Sequence, residues 1–539
     1  MAILTVESLS FKYPLCERAA INNVSFTLEE GEFVILCGKG GSGKSTLLRC
    51  LKREVIPNGD LTGKICVQGE DTENMSTAAS AAVIGFVSQE CEQQIVTDKV
   101  WHELAFGLES IGADKEEISL RVAETAAYFG FSDKLHMDTA ALSGGEKQLL
   151  ALAAVMVMRP KILVLDEPAS QLDPIAARSF AETVRRLNRD RGITVIIAEH
   201  RLDNILPFAD RLMLLKDGEL VICDERDKAL SYVEDDLLSE MPAPVRIGHE
   251  LGCEGKYPCD VNSARRFVVG RYKNDTRMLE TEKLPHSGRK ALETKNVTYR
   301  YERDAKDIID GLALTVYEGE IFALLGANGS GKTTALSLIS GGCRAVSGSI
   351  KIFGKKLKEY KNNSLYNGTV SLLPQDVTTL FLHNTVREEL SEMNISQIPF
   401  GLDKYSDKHP YDLSGGERQL LALAKVLAVK PKLLLLDEPT KSLDARAREK
   451  LLNILKDLRA SGMTIVIVSH DTEFCAECAD RCSVLFMGRA LPPMPTAQLL
   501  DNNDFFTTPS SLICRGHYDL AVTPQDVISL CRKNGRADR

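Results

Sequence analysis

The chain repeats itself, and this feature constrains its fold more than any other. Four segments of the first half return in the same order in the second half: GKGGSGKST (38–46) as GANGSGKTT (326–334), LSGGEKQLLALA (142–153) as LSGGERQLLALA (413–424), ILVLDEP (162–168) as LLLLDEP (433–439), and IIAEH (196–200) as VIVSH (466–470). A repeat of this length indicates a duplicated domain rather than the unit of a solenoid. We predict domains at 1–240 and 287–500, a linker at 241–286 and a C-terminal tail at 501–539.

Each half alternates apolar runs with helical patterns. The runs KILVLDEP and ITVIIAEH are β-branched, apolar and followed by polar residues, which is typical of buried parallel strands. We therefore predict two α/β domains, each with a mostly parallel sheet and its ligand at the carboxyl ends of the strands. The halves differ in one place, because 54 positions separate Gln89 from Ser143 but 39 separate Gln375 from Ser414.

Composition narrows the class of protein. A chain of 539 residues is too long for one core. The net charge of −9 argues against a dedicated nucleic-acid binder, so we expect no nucleic-acid partner.

No apolar run reaches the roughly 18–20 residues that span a bilayer, and the N-terminus lacks the pattern of a secretory signal. We expect a peripheral protein on the cytoplasmic face of the cell membrane.

The fourteen cysteines are expected to be reduced thiols, because a disulfide framework is typical of short secreted chains. Cys475, Cys478 and Cys482 have the spacing of one helix face. A metal site would need a fourth ligand at matching spacing. We interpret these residues, and the pair Cys253 and Cys259, as apolar packing residues.

The predicted linker is rich in proline, glycine and charge, and part of it is basic. We interpret it as a solvated linker with some local structure, and a nucleic-acid contact is the alternative. In the tail, PQDVISLCRKNG has the pattern of a short helix.

A glycine-rich loop follows an apolar strand in each half. Residues 38–45 and 326–333 fit G-x-x-x-x-G-K-[S/T], in which backbone N–H groups close around phosphate oxygens at a helix N-terminus. We expect the lysines to reach the β- and γ-phosphates, and Ser45 and Thr333 to bind Mg²⁺. The predicted loop residues are Gly38, Lys39, Gly40, Gly41, Ser42, Gly43, Lys44, Ser45 and Thr46, and Gly326, Ala327, Asn328, Gly329, Ser330, Gly331, Lys332, Thr333 and Thr334.

An acidic pair ends a buried strand in each half. Asp166 and Asp437 follow four apolar residues, so each carboxylate should emerge beside the phosphate loop and hold Mg²⁺ through water. The next residue, Glu167 or Glu438, is placed to activate the attacking water as a general base.

The sequence LSGGE occurs at 142–146 and 413–417, where a serine hydroxyl and backbone amides open a helix and can hold a γ-phosphate. With the preceding motifs, these segments resemble ATP-binding cassette ATPases. The resemblance implies a RecA-like core, a β-rich subdomain and a helical signature subdomain in each half. In that family the signature acts on the opposite domain, which implies a head-to-tail pseudo-dimer within the chain. Lys44 would then work with Ser414, and Lys332 with Ser143. The signature residues are Ser143, Gly144, Gly145, Ser414, Gly415 and Gly416.

Further positions match the family residue by residue. Tyr13 and Tyr301 resemble the aromatic residue that stacks on adenine. The remaining matches are the glutamine that senses Mg²⁺ and the transmembrane partner (Gln89 and Gln375), the switch histidine that contacts the γ-phosphate (His200 and His470), and the loop that links the two sites (Asp173 and Asp444). Both halves keep the full set, so we predict two competent sites that use ATP and Mg²⁺.

The motifs do not name the work that ATP drives. The stretch ECEQQIVTDKVWHELAFGLES after Gln89, and FFTTPSSLICRGHYDLAVTPQDVISLC in the tail, resemble the ATPase component of energy-coupling-factor importers. In the second half TTLFLHNTVREEL lacks the Ala-Phe-Gly-Leu continuation. The resemblance implies two membrane partners, a transmembrane T component and a small S component that captures a vitamin, a vitamin precursor or a metal ion.

Two other classes of tandem cassette lack a transmembrane domain. A soluble ribosome-associated ATPase acting in translation is the alternative, but it usually carries a long helical linker, whereas this linker contains Pro242, Pro244, Pro258 and Pro285. DNA-repair and iron–sulfur recycling cassettes need cysteine sets that this sequence does not show.

Overall fold

The computed structural model describes residues 2–14, 16–170, 172–279, 288–361, 364–391, 398–441 and 443–537. The chain divides into two compact units, residues 1–242 with 253–260 and residues 243–252 with 261–539. The boundaries at 240, 286 and 500 stay predictions, and residues 280–286 of the predicted linker lie outside the described residues.

The first unit contains ten strands and nine α-helices among its described residues. The strands are β1 (Ala2–Lys12), β2 (Ile21–Glu29), β3 (Phe33–Cys37), β4 (Asp60–Val67), β5 (Glu70–Asp71), β6 (Ile84–Val87), β7 (Ile162–Asp166), β8 (Thr194–Ala198), β9 (Arg211–Lys216) and β10 (Glu219–Glu225). The helices are α1 (Lys44–Cys50), α2 (Thr77–Val83), α3 (Cys91–Gln94), α4 (Val100–Ser110), α5 (Lys115–Phe129), α6 (Gly144–Met156), α7 (Pro174–Arg191), α8 (Arg226–Leu230) and α9 (Asp235–Leu238).

Two sheets build the first unit. One is antiparallel, in the order β2-β1-β4-β5, and the other has the order β10-β9-β3-β8-β7-β6. In the second sheet β9, β3, β8, β7 and β6 run parallel, and β10 pairs antiparallel with β9. Every residue of β3, β7 and β8 is buried, which explains their continuous apolar sequences. The carboxyl ends of these three strands therefore meet at one edge of the sheet.

The second unit repeats this design. Its strands are β11 (Lys290–Tyr299), β12 (Ile309–Tyr317), β13 (Ile321–Leu325), β14 (Ser347–Ile352), β15 (Lys355–Lys356), β16 (Val370–Leu373), β17 (Leu433–Asp437), β18 (Thr464–Ser469), β19 (Arg481–Phe486), β20 (Arg489–Ala490) and β21 (Met494–Pro495). Its helices are α10 (Ala243–Glu250), α11 (Val261–Arg271), α12 (Lys332–Ser340), α13 (Val386–Ser391), α14 (Gly415–Ala428), α15 (Ala445–Ala460), α16 (Thr472–Cys478), α17 (Thr496–Asn502), α18 (Pro509–Cys514) and α19 (Pro524–Asn534).

Its sheets have the orders β12-β11-β14-β15 and β16-β17-β18-β13-β19-β20, with β21 paired to β19. The central strands β16, β17, β18, β13 and β19 are parallel, as in the first unit. The predicted α/β class with two mostly parallel sheets is confirmed. The longer first half contains α5, a 15-residue helix within the interval in which the two halves differ in length.

Helices from the predicted linker and tail pack together in the second unit. The side chains of α10 and α11 share an apolar cluster with those of α18 and α19, which includes Ile247, Val268, Ile513, Tyr518 and Leu530. The tail segment with the pattern of a short helix forms α19, which begins at a capping box between Thr523 and Asp526.

The cysteine cluster differs from the expectation in one respect. Cys475 and Cys478 lie on α16, but that helix ends at Cys478 and Cys482 lies on β19. All three are buried, and Cys475 and Cys482 share an apolar cluster with β13 residues. All fourteen cysteines are described, and each is a free thiol.

No helix in the described part of the chain combines the length and the apolar character that crossing a bilayer requires.

Candidate active site

The two phosphate loops have the same geometry. Gly43 adopts φ 101°, and a Cβ atom at this position would lie 2.5 Å from the carbonyl oxygen of Ala20, so only glycine fits. The Lys44 Nζ donates to the carbonyl oxygens of Gly38 (2.6 Å) and Lys39 (3.1 Å). In the second loop Lys332 Nζ donates to Gly326 (2.8 Å) and Ala327 (3.1 Å). Each lysine is folded over its own loop, where it can reach a bound phosphate.

A hydroxyl and a carboxylate meet beside each loop. Ser45 Oγ donates to Asp166 Oδ1 at 2.8 Å, and the Thr333 hydroxyl bonds to Asp437. Asp166 Oδ2 and Asp437 Oδ1 are buried without a hydrogen-bond partner. Burial raises the pKa of Asp166, and it raises that of Asp437 to about 6. Such unpartnered oxygens suit a hard cation, so this hydroxyl and carboxylate fit Mg²⁺, which would neutralise phosphate charge there.

The two glutamates that follow lie in an unusual backbone conformation. Glu167 has φ 49° and Glu438 has φ 47°, in the left-handed region that a residue with a Cβ atom rarely adopts. Their amides donate to the carbonyl oxygens of Ala198 and Val468, each at 2.9 Å. Such backbone conformations cost about 1–3 kcal/mol and persist where the surrounding structure holds them. Here the neighbouring strand end holds the glutamates at the sheet edge.

In the first half, two side chains hold the carboxylate of Glu167. Gln89 Nε2 donates to its Oε2 at 3.0 Å, and His200 Nε2 lies 2.9 Å from its Oε1. Burial by itself raises the pKa of Glu167, but the hydrogen bond and positive charge of His200 outweigh it, so the pKa is lowered. Burial lowers the pKa of His200, and Glu167 reverses that effect and raises it. The carboxylate is therefore ionised and can accept a proton from water.

In the second half, Glu438 has a different set of neighbours. Ser469 Oγ donates to its Oε2 at 3.1 Å, and the backbone amide of His470 donates to the same oxygen at 3.2 Å. His470 Nδ1 lies 3.0 Å from Oε2, and Lys332 Nζ lies 3.3 Å from Oε1. Burial raises the pKa of Glu438, and His470 and Lys332 together leave it lowered. Gln375, the counterpart of Gln89, is exposed after β16.

The tyrosines reach the phosphate loops through their hydroxyl groups. Tyr13 and Thr46 share a hydrogen bond of 3.0 Å, and Tyr301 and Thr334 share one of 3.2 Å. The exposed fraction of Tyr301 is 63%. An exposed ring next to the loop is a suitable platform for stacking a nucleotide base.

The signature residues and the linking aspartates begin helices. Ser143 forms a capping box with Glu146 at the start of α6, and Ser414 forms one with Glu417 at the start of α14. Asp173 caps α7 by accepting from the Ala176 amide, and Asp444 caps α15 in the same way. Ser143 and Ser414 are exposed, so a ligand can approach them. These capping contacts do not involve the lysine, aspartate and glutamate side chains described above.

One buried residue of the first site was not among the predicted ones. Glu199 lies between β8 and His200, and its Oε1 accepts from the Ala169 amide at 2.6 Å. The signal was present in the sequence, because an acidic residue directly after a buried strand and before a functional histidine is unusual. The second half has Ser469 at this place.

Comparisons with known proteins show the family. The family described as ABC transporter matches residues 21–170 and 309–441. A protein of Bacillus cereus named as an ABC transporter ATP-binding protein is 36% identical over 98% of this chain and 97% of its own length. Another, from Methanosarcina mazei, is 32% identical over 96% and 92%. Among solved structures, the archaeal ribosome recycling factor aABCE1, in complex with the ribosomal stalk protein aP1, aligns with a TM-score of 0.60. The alignment covers 92% of this chain and 91% of that chain at 21% sequence identity, so the likeness shows the fold.

The relatives cover nearly the whole chain, so they share its duplication and not only one half. Each matched segment contains a phosphate loop and the strand end with its Asp-Glu pair. ATP binding and hydrolysis follow from these two features. The chain belongs to the ABC transporter family, as an ATP-binding protein with two ATPase domains.

Proposed function

We propose that this ATPase is the motor subunit of an importer of the energy-coupling-factor type, working at the cytoplasmic face of the membrane. The partners would be a transmembrane T component and an S component that captures a vitamin, a vitamin precursor or a metal ion. The observation that carries the proposal is an exposed apolar side chain on a firmly held loop, seven residues beyond the glutamine in each half.

In the first half this side chain is Val96, whose exposed fraction is 61%. The loop is held by Glu103, a buried residue of α4. Glu103 Oε2 accepts from the amides of Val96 (3.1 Å) and Thr97 (2.9 Å), and from the Thr97 hydroxyl (2.9 Å). Phe106, also on α4, has an exposed fraction of 48%.

In the second half the equivalent side chain is Leu382, with an exposed fraction of 76%. Glu389 Oε1 accepts from the amides of Leu382 and His383, the latter at 2.6 Å. Glu389 is fully buried and forms an ion pair with Lys425. The two halves thus present the same feature, although the second lacks the Ala-Phe-Gly-Leu run. We call it the pinned loop: residues 96–97 held by Glu103, and residues 382–383 held by Glu389.

An apolar side chain held at the surface by backbone hydrogen bonds can receive a helix of another protein with little loss of conformational entropy. In the first half this loop begins near Gln89, whose side chain donates a hydrogen bond to Glu167. A displacement of the loop would therefore move Gln89 and change the position of the general base. A membrane partner docked on both loops would be moved by ATP binding and would in turn regulate hydrolysis.

The roles at the ATP sites are part of the proposal. Lys44 and Lys332 each bind the phosphates of one ATP, and the signature serines Ser143 and Ser414 hold a γ-phosphate. The two glutamates activate water, the aspartates and the adjacent hydroxyls hold Mg²⁺, and the histidines contact the γ-phosphate. Hydrolysis of the bound ATP changes the conformation around these sites and so drives the membrane partner.

The test is a tagged pull-down from detergent-solubilised membranes, followed by mass spectrometry. We expect a pair of multi-spanning membrane proteins with the native chain, and loss of that pair with Val96→Glu combined with Leu382→Glu. Val346→Glu, at a residue with an exposed fraction of 59%, is the control for adding a charge to an apolar surface position. ATP hydrolysis by each purified variant checks that it is folded. Recovery of ribosomal proteins without a membrane partner would refute the importer and favour the ribosome-associated alternative.

A further inference from the structure

The residue before the histidine is the clearest chemical difference between the two ATP sites. It is Glu199 in the first half and Ser469 in the second, each at the carboxyl end of the strand beside the Asp-Glu pair. Both are buried, with exposed fractions of 6% and 0%. A polar side chain buried at this place must find a hydrogen-bond partner, and the two residues find different ones.

Ser469 bonds to the general base itself. Its hydroxyl donates to Glu438 Oε2 at 3.1 Å and accepts from the Asp471 amide at 3.0 Å. Asp471 in turn caps α16 by accepting from the Phe474 amide at 3.0 Å. The serine is therefore fixed between the start of a helix and the carboxylate of Glu438.

Glu199 bonds to backbone instead. Its Oε1 accepts from the Ala169 amide at 2.6 Å, two residues beyond Glu167. Burial raises the pKa of Glu199 to about 8, so the side chain is protonated and neutral at this position. Glu199 thus anchors the segment after the general base, while the carboxylate of Glu167 is held by Gln89 and His200.

The histidines present different nitrogen atoms to the two glutamates. His200 faces Glu167 with Nε2 at 2.9 Å, and His470 faces Glu438 with Nδ1 at 3.0 Å. The ring nitrogen nearest to the general base therefore differs between the two halves.

We propose that Ser469 and Glu199 are positioning residues that make the two ATP sites unequal. Ser469 orients Glu438 directly, so the second half is ready for hydrolysis without help from a partner. Glu199 anchors only backbone, so the first half depends on Gln89 and on the loop that follows it. The inference rests on the proposed role of the two glutamates as general bases.

The experiment measures hydrolysis in each half of the full chain. The protein hydrolyses photoreactive 8-azido-ATP, and vanadate takes the place of the released phosphate and traps the 8-azido-ADP. After cross-linking and digestion of the protein, mass spectrometry assigns the labelled peptides to 1–240 or 287–500. We expect the initial rate of trapping to be about threefold to tenfold higher in the second half, as one net hydrogen bond at the base would give. Ser469→Ala should lower trapping in the second half by a similar factor with an unchanged KM for ATP, and Ser469→Thr should preserve it.

The first half has its own pair of variants. Glu199→Gln keeps an acceptor oxygen for the Ala169 amide and should preserve trapping there, whereas Glu199→Ala should lower it in the first half alone. Ser483→Ala removes another fully buried hydroxyl, which bonds to the Leu491 carbonyl oxygen, and should change neither half.

Equal trapping in the two halves of the native chain would overturn the inference, as would a Ser469→Ala variant that loses no trapping in the second half. The proposed base role is tested separately with Glu167→Gln and Glu438→Gln. If these variants retain hydrolysis in their own halves, the base assignment fails. If they abolish it while Ser469→Ala has no effect, only the positioning inference fails.

Discussion

Replacing Glu199 by glutamine should stabilise the first half, and by more as the pH rises. The carboxyl group is buried, and burial raises its pKa from 4.5 to about 8. Between these two values the folded state binds more protons than the unfolded state, so the native protein loses stability as pH increases across this range. Glutamine does not titrate and still offers an oxygen to the Ala169 amide.

The size of the effect follows from the pKa values. The 2.5 pH units between pH 7 and the ordinary glutamate value of 4.5 correspond to about 3 kcal/mol of unfolding free energy. For a domain of this size each kcal/mol changes the melting temperature by about 2–4 °C. We therefore expect Glu199→Gln to raise the Tm of the first half by about 6–12 °C at pH 7, and by much less at pH 5.

The assay can isolate the first half because the chain has one tryptophan, Trp101 on α4. Thermal unfolding is followed by its fluorescence between pH 5 and pH 8 for both proteins. Glu182→Gln is the control, since Glu182 is exposed on α7 and pairs with Arg178 at the surface. It should give a small difference that does not change over this range. A Tm difference for Glu199→Gln that is the same at pH 5 and pH 8 would refute the reasoning.

Three further predictions address the ATP sites and the pinned loop. Glu167→Gln and Glu438→Gln should each lower ATP hydrolysis in its own half by about a hundredfold or more, the usual contribution of a general base, and retain ATP in a filter-binding assay; unchanged hydrolysis in the altered half of either variant would contradict two competent sites. Lys425→Met leaves the fully buried Glu389 without its ion-pair partner and should destabilise the second half by about 3–5 kcal/mol in calorimetry. Tyr301→Ala should raise the KM for ATP up to about tenfold through lost stacking, whereas Tyr301→Phe should keep the native KM.

Much of the fold could be predicted because local sequence and tertiary role agree. The runs before Asp166 and Asp437 are apolar on both faces of the strand, which only a covered parallel sheet accommodates. The glycines of the phosphate loops similarly reveal their role, since the backbone at Gly43 excludes any side chain. These features are encoded within a few neighbouring residues, so no knowledge of distant contacts is needed.

Other features depend on contacts between distant parts of the chain. The proline-rich stretch before α11 looks like a linker, but Val268 of α11 belongs to the same buried apolar cluster as Leu530 of the tail. Cys482 has helical spacing from Cys475, but the helix ends four residues before it, and the next strand begins. The difference between Glu199 and Ser469 was visible in the sequence, yet their partners follow only from the folded arrangement of the strand ends.

The left-handed backbone at Glu167 and Glu438 separates what favours folding from what favours turnover. Glycine is the residue that this conformation accepts without strain, so replacing either glutamate by glycine would recover part of the roughly 1–3 kcal/mol that the conformation costs. A library of variants sorted for thermal stability would therefore admit glycine at these two positions, and one sorted for ATP hydrolysis would reject it. At these two positions ATP hydrolysis requires glutamate, although the left-handed backbone conformation is unfavourable for it.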